Sequence, residues 1–176
     1  IIAELQLGCK FSAELTPAFV SVAGIASILH DVGKVATPDA VLLKPGQHTP
    51  DERKIMEEHA AIGEIVLARA AQLVDGVSSL SVGAQIAGGH HEKFDGSGYP
   101  RGRKGCDIPL AARIVAVADV FDALLHVRPY RRAWPLDEVL DYMKKQRGTQ
   151  FDADVVDALL AFLHTHKPDW IVESAT

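Results

Sequence analysis

Cysteine is scarce in this sequence, and the two that occur, Cys9 and Cys106, stand far apart and form no C-x-x-C pair. A disulfide framework and a zinc-finger site are excluded, and a reducing, cytoplasmic setting is expected. Basic residues are also in deficit: 18 Lys and Arg stand against 23 Asp and Glu, a formal net charge of −5. That balance speaks against a chain-long grip on nucleic acid. No stretch reaches the roughly 18 uninterrupted apolar residues of a membrane span. The start lacks the basic n-region of a signal peptide, and Glu4 interrupts it. Strand-like alternation and internal repeats are absent over any useful length.

What is present is enough for a core. Apolar residues make up 48% of 176 positions, which suits one ordinary domain and is too little for two. Residues 1–176 are therefore expected to be a single domain. The opening Ile1, in place of Met, suggests a piece of a longer protein. Apolar spacing near 3.6 between Gly and Pro punctuation predicts an all-α fold. Thr49-Pro50-Asp51-Glu52 combines a capping residue, Pro at the first helical position and a capping-box Glu, and should start a helix reaching about Ala71. Pro109 should open another running to Leu125, Pro135 a third ending near Gly148, and Asp152 should cap a last one. The uncharged stretch Leu15–Leu29 reads as a buried helix running into His30-Asp31. A further helix ends between Gln85 and His91. The loop after it, residues 92–108, carries Gly96, Gly98, Pro100, Gly102 and Gly105, and a loop that long is usually functional.

Charge is uneven along the chain. Residues 101–132 hold 7 basic and 3 acidic side chains, a net of +4 inside an acidic protein. A local anion site is one reading, and an uneven surface is the other.

The histidines are uneven too. His30-Asp31 ends an apolar helix, where an Asp is costly to bury without a positive neighbour. His59 lies mid-helix. His90-His91 follows an apolar helix and precedes the glycine-rich loop. Asp119 interrupts the apolar run R-I-V-A-V-A-D-V-F, with Asp122 three residues on. Four imidazoles and two carboxylates (His30, His59, His90, His91, Asp31, Asp119) make an N/O ligand set suited to Fe, Mn or Zn. It is too many ligands for one ion with an open position. Two ions sharing a bridging Asp is the natural reading, and such a pair suits in-line attack of a bridging hydroxide on phosphorus. Lys34 and Arg113 could each neutralise a phosphate oxygen. A surface lysine and a salt-bridged arginine are the alternatives. His48, His126, His164 and His166 read as surface or loop residues.

These motifs form one colinear series: H-D-V-G-K at 30–34, L-L-K-P-G at 42–46, H-x-x-I-G at 59–63, H-H-E-K-F-D-G-S-G-Y-P at 90–100, G-C-D-I-P-L-A-A-R-I-V-A-V-A-D at 105–119 and R-P-Y-R at 128–131. The series resembles the HD-GYP subgroup of the HD phosphohydrolase superfamily. The resemblance implies a helical bundle with a five-helix HD core plus extra C-terminal helices. It implies a di- or trinuclear centre of divalent metal ions, usually iron or manganese, and hydrolysis of cyclic di-GMP to the linear dinucleotide or GMP. The metal ligands it implies are His30, Asp31, His59, His90, His91 and Asp119, with Asp31 bridging. Lys34 and Arg113 would hold the scissile phosphate, and Gly98, Tyr99 and Pro100 would shape the loop beside the substrate. Asp31 and Lys34 are the residues assigned to catalysis. A third ion in some members uses Glu and His ligands well upstream of the His-Asp pair. No His precedes His30 here. The 92–108 loop would also meet cyclic di-GMP-making domains, and an N-terminal sensor or receiver domain is expected. Another cyclic dinucleotide, such as cyclic GMP-AMP, is the alternative substrate. A catalytically silent signalling module is the alternative class.

Overall fold

Thr49-Pro50-Asp51-Glu52 starts the longest helix, as its spacing predicts. The Glu52 N–H donates to Thr49 Oγ1 at 3.3 Å and the Thr49 N–H donates to Glu52 Oε2 at 2.7 Å, a closed capping box. The computed structural model describes residues 1–8, 11–127 and 132–166. Among these the chain forms eight α-helices and no extended sheet: α1 (Ile2–Leu7), α2 (Pro17–Ser27), α3 (Asp39–Leu42), α4 (Pro50–Ala71), α5 (Ser79–Ala87), α6 (Leu110–Leu125), α7 (Leu136–Lys145) and α8 (Ala153–His166). The all-α expectation holds, and the starts at Pro109, Pro135 and Asp152 fall where the punctuation put them.

Helix α6 organises the interior. Its apolar residues leave no polar face in the first two turns, so it must be buried on all sides. Leu110 through Val117 are all buried, Arg113 included. Leu110, Ile114, Val117, Phe121, Leu124 and Leu125 join α1, α7 and α8 in the larger core. On the other side, Ala111 and Val115 pack with Ala26 of α2 and with Val82 and Ile86 of α5. Asp119 is thereby carried out of the interior on a rigid rod.

Helix α2 departs from the expectation of a buried helix. Only Ala23 and Ala26 are buried, while Ile25 and Ile28 are 63% and 76% exposed. The stretch is apolar on every face, so periodicity could not show which face packs. By length and composition Pro17–Ala36, with mean hydropathy 1.4, would suffice to cross a membrane. The helix stops at Ser27, however, and the chain turns at 28–31 into a 3-10 turn, Val32–Ala36.

That turn lies directly on α4. A Cβ at Gly33 would stand 2.0 Å from the His59 carbonyl oxygen and 2.6 Å from the Gly63 nitrogen. Only glycine permits this backbone-to-backbone approach. The contact sets Asp31 against the middle of α4.

Candidate metal centre

Four elements converge on one point. The turn after α2 supplies His30 and Asp31, α4 supplies His59, the end of α5 supplies His90 and His91, and α6 supplies Asp119. Ligand atoms of Asp31, His59, His90 and His91 all lie within 4.8 Å of one another. Asp31 sits at the middle. Its Oδ1 is 3.4 Å from His59 Nε2 and 3.9 Å from His90 Nε2, and its Oδ2 is 3.3 Å from His30 Nε2. His30 Nε2 is 4.0 Å from Asp119 Oδ1, which brings the second carboxylate to the edge of the group.

The imidazoles are aimed from behind. His30 Nδ1 lies 2.8 Å from the Ser27 carbonyl, His59 Nδ1 2.6 Å from that of Met56, and His90 Nδ1 3.1 Å from those of Ile86 and Ala87. A carbonyl can only accept, so each Nδ1 carries a proton; His59 Nε2 and His90 Nε2 turn lone pairs inward, while His30 Nε2 faces Asp31 Oδ2 and donates to it when the ring is protonated. Carbonyl-fixed imidazoles of this kind are how metal-ligating histidines are held. Asp31 Oδ1, His59 Nε2 and His90 Nε2 are buried and have no hydrogen-bond partner. Unpaired acceptors collected inside a protein are expensive. A divalent cation at their centre would satisfy all of them, so the residues fit one. Asp31, His59, His90 and His91 offer ligand atoms close enough together to share it, with His30 and Asp119 at the edge of the group.

The electrostatics agree. Burial, reinforced by the neighbouring imidazoles, pushes His90 down to about 4 and His91 down to about 2, so both stay neutral and able to ligate. His30 is raised by its hydrogen bond to Asp31. Burial works against ionised Asp31, but hydrogen bonds from His30 and Lys34 overcome it and hold its carboxyl well below the usual range. Lys34 Nζ lies 2.5 Å from Asp31 Oδ2 and is partly exposed, so it reaches the rim of the cluster.

The glycine-rich loop closes one side. Tyr99 stacks on His91 with ring centroids 4.7 Å apart and planes 26° apart, and a cis peptide joins it to Pro100. Burial pushes the Tyr99 hydroxyl up, with the Glu57 carboxylate adding to it. Gly98 is wedged against the backbone of 91–93: a Cβ there would lie 2.3 Å from Lys93 N and 2.5 Å from the His91 oxygen.

A family model described as HD domain matches residues 9–155. The chain belongs to the HD domain family. It is 53% identical over 143 residues to a cyclic di-GMP phosphodiesterase response regulator of Xanthomonas campestris pv. campestris, covering 80% of this chain and 36% of the relative. It is 44% identical over 135 residues to a 3'3'-cGAMP-specific phosphodiesterase of Vibrio cholerae serotype O1, covering 77% of this chain and 25% of the relative. The solved structure of a cyclic GMP-AMP-specific phosphodiesterase of V. cholerae shares the fold, with a TM-score of 0.64 over 94% of this chain and 43% of that one, at 19% identity. This chain spans about a quarter to a third of the length of these curated relatives.

Within this HD domain, Arg113 is not brought to the cluster. Its guanidinium is buried, pairs with Asp152 at 2.6 Å, donates to the Ile108 carbonyl at 2.9 Å and lies over the Phe11 ring. The expectation that it holds a phosphate is corrected to the salt-bridged alternative. The physical reason is its position in the all-buried half of α6, where a cation needs its own carboxylate. The basic window loses a second member, since Arg101 pairs with Glu64 at 2.5 Å. Asp122 is exposed beside His126 and takes no part. The R-P-Y-R motif at 128–131 lies outside the described residues.

Sequence reading missed Glu92 and Asp152. Glu92 is 3% exposed and accepts from the backbone N–H groups of Arg101 and Arg103 at 2.8 and 3.1 Å. An acid opening a glycine-rich loop was the available signal. Asp152 was noticed only as a helix cap.

Proposed function

We propose that this HD domain is a metal-dependent phosphodiesterase that hydrolyses cyclic di-GMP to the linear dinucleotide or to GMP. The observation that carries the reading is the set of buried, partnerless acceptors Asp31 Oδ1, His59 Nε2 and His90 Nε2. Support for the substrate class comes from the resemblance at 30–34 and 90–100 and from the relative named for cyclic di-GMP. His30, Asp31, His59, His90, His91 and Asp119 would hold two divalent ions, iron or manganese. Imidazole and carboxylate donors suit both metals. The two oxygens of Asp31 divide between His30 on one side and His59 with His90 on the other, which would suit a carboxylate shared between two ions. Bound ions would supply Lewis-acid polarisation of the phosphodiester and a nucleophile from water.

The chain's own residues do the rest. Lys34 balances Asp31 while the site awaits substrate. The Lys34 ammonium, at the rim of the cluster, would be placed to meet a non-bridging phosphate oxygen, where charge develops. Tyr99, carried between Gly98 and Pro100, walls the cluster over His91 and limits water there. The site lies in a reducing cytoplasm on this reading, with Cys106 a free thiol. An N-terminal sensor or receiver domain supplies regulation, and the 92–108 loop offers contacts to a cyclic di-GMP-making domain. The greater length of the relatives supports the extra domain.

A second substrate is favoured by one observation, the relative named for 3'3'-cGAMP. The test is anaerobic purification, metal analysis, and hydrolysis of cyclic di-GMP and 3'3'-cGAMP in competition after loading with iron or manganese. The expected result is bound metal, preference for cyclic di-GMP, and loss of turnover in Asp31→Asn. Protein that holds metal without turnover is a silent signalling module, and protein that retains no metal overturns the reading.

A further inference from the structure

Three of the four clustered histidines are oriented by helix carbonyls, and His91 is not. Among the described residues its ring makes no hydrogen bond, and its neighbours are other rings: His90 at 3.9 Å, His59 at 5.0 Å and Tyr99 at 4.7 Å between centroids. His59 and His90 are themselves tied to carbonyls. The orientation of His91 therefore depends on what holds Tyr99.

Tyr99 is held by its backbone. Its N–H donates to the His91 carbonyl at 3.2 Å. The chain then folds back, so that the Arg101 N–H donates to Glu92 Oε1 and the Arg103 N–H to Glu92 Oε2. Glu92 directly follows His91, so its side chain closes a ring around residues 92–103. Both carboxylate oxygens are used, and bonds from N–H to an ionised, buried carboxylate are among the stronger ones. A second tie runs from the Arg101 guanidinium to Glu64 on α4.

We propose that Glu92 is a positioning residue for the metal centre: by clamping the backbone of Arg101 and Arg103 it holds Tyr99 flat against His91, and so fixes the one imidazole that no carbonyl orients. The proposal rests on reading the cluster as a metal site. Outer-shell partners usually orient a ligand by a hydrogen bond. Here a stacked ring does so, and the hydrogen bonds stand one step further back. Without the clamp, His91 must be ordered by the ion itself, and affinity falls by that entropic cost.

Glu92→Gln tests this. The amide keeps the side chain's shape but turns an N–H donor toward one of the two backbone N–H groups. In chelator-treated protein, amide exchange at Tyr99, Arg101 and Arg103 should quicken about tenfold while α4 and α5 keep their protection. Manganese affinity should fall about 10- to 100-fold, the usual loss for an outer-shell partner. The loss must run through Tyr99, so Glu92→Gln should weaken binding little further in a Tyr99→Ala background. Multiplying losses in the double variant, or unchanged affinity in Glu92→Gln, overturns the proposal. A wild type that binds no manganese defeats the metal reading instead. The exchange arm then judges the clamp alone, and unchanged exchange at 99–103 overturns it. If Glu92→Gln does not fold, Glu64→Gln loosens the other tie, and unchanged manganese affinity there counts against the proposal equally.

Discussion

Asp31 Oδ1 and His59 Nε2 stand 3.4 Å apart, both buried and neither with a hydrogen-bond partner. Because the His59 Nδ1–H donates to the Met56 carbonyl, the two atoms that face each other are both acceptors. Such a pair repels until a cation lies between them. Metal binding should therefore stabilise the fold. At about 100 times its dissociation constant, manganese should add about 2.7 kcal/mol by mass action. Denaturant titrations with manganese and with chelator measure the difference. Asp31→Asn should erase it, and a gain that survives in this variant would remove Asp31 from the ligand set.

Metal-free stability should rise with pH between about 4 and 6.5. Burial holds His90 down at about 4 and His91 at about 2, whereas both titrate near 6.5 when unfolded. In that window the unfolded chain binds protons that the folded one refuses, so stability falls as pH falls. His30 acts oppositely: its pKa is raised, so its contribution is complete below 6.5 and is lost above, as pH climbs through the raised value. Asp31, being depressed, contributes above its ordinary range and loses that only in stronger acid. The two histidines govern the window, with a slope reaching about 2.7 kcal/mol per pH unit where both are protonated only in the unfolded chain. Unfolding of chelator-treated protein at pH 4.5, 5.5 and 6.5 reads it, and a flat profile would contradict the lowered pKa values of buried His90 and half-buried His91.

Local signals carried most of the fold. The capping box at Thr49, the prolines at 109 and 135 and the cap at Asp152 act through neighbours in sequence, so the helices they start were legible. The ligand residues were legible because each breaks a local rule, as Asp119 does inside an apolar run. What stayed hidden depends on distant partners. Arg113 looked like an anion contact because Asp152 is 39 residues away, and no pattern pairs them. Helix α2 looked buried because burial of one face is decided by α5, and a stretch apolar all round does not say which.

Arg113 should matter for stability and not for phosphate. It and Asp152 are each about 4% exposed and pair at 2.6 Å, joining α6 to the start of α8. Breaking a buried pair by removing one partner costs about 3–5 kcal/mol. Arg113→Ala should lose stability on that scale in chemical denaturation. The fraction that remains folded should keep its KM for a phosphodiester. A large rise in KM at unchanged stability would restore Arg113 to the site.

Gly33→Ala tests the contact that builds the site. The new Cβ would sit 2.0 Å from the His59 oxygen and 2.6 Å from the Gly63 nitrogen, both backbone atoms that cannot swing aside. The 3-10 turn must lift from α4, and Asp31 moves with it away from His59. Overpacking typically costs about 1–3 kcal/mol, and a clash with backbone belongs at the upper end. Metal affinity should fall more steeply than stability, because the ligands separate while the helical cores on either side of α6 remain intact. Gly24→Ala supplies the contrast. Gly24 lies inside α2 with nothing within 4 Å of a new Cβ, so alanine there should add up to about 1 kcal/mol through helix propensity and leave metal binding alone. Measured side by side, calorimetric metal affinity and denaturation midpoints should move together downward for Gly33→Ala and apart for Gly24→Ala. Wild-type affinity in Gly33→Ala would show that the turn's seat on α4 does not position Asp31.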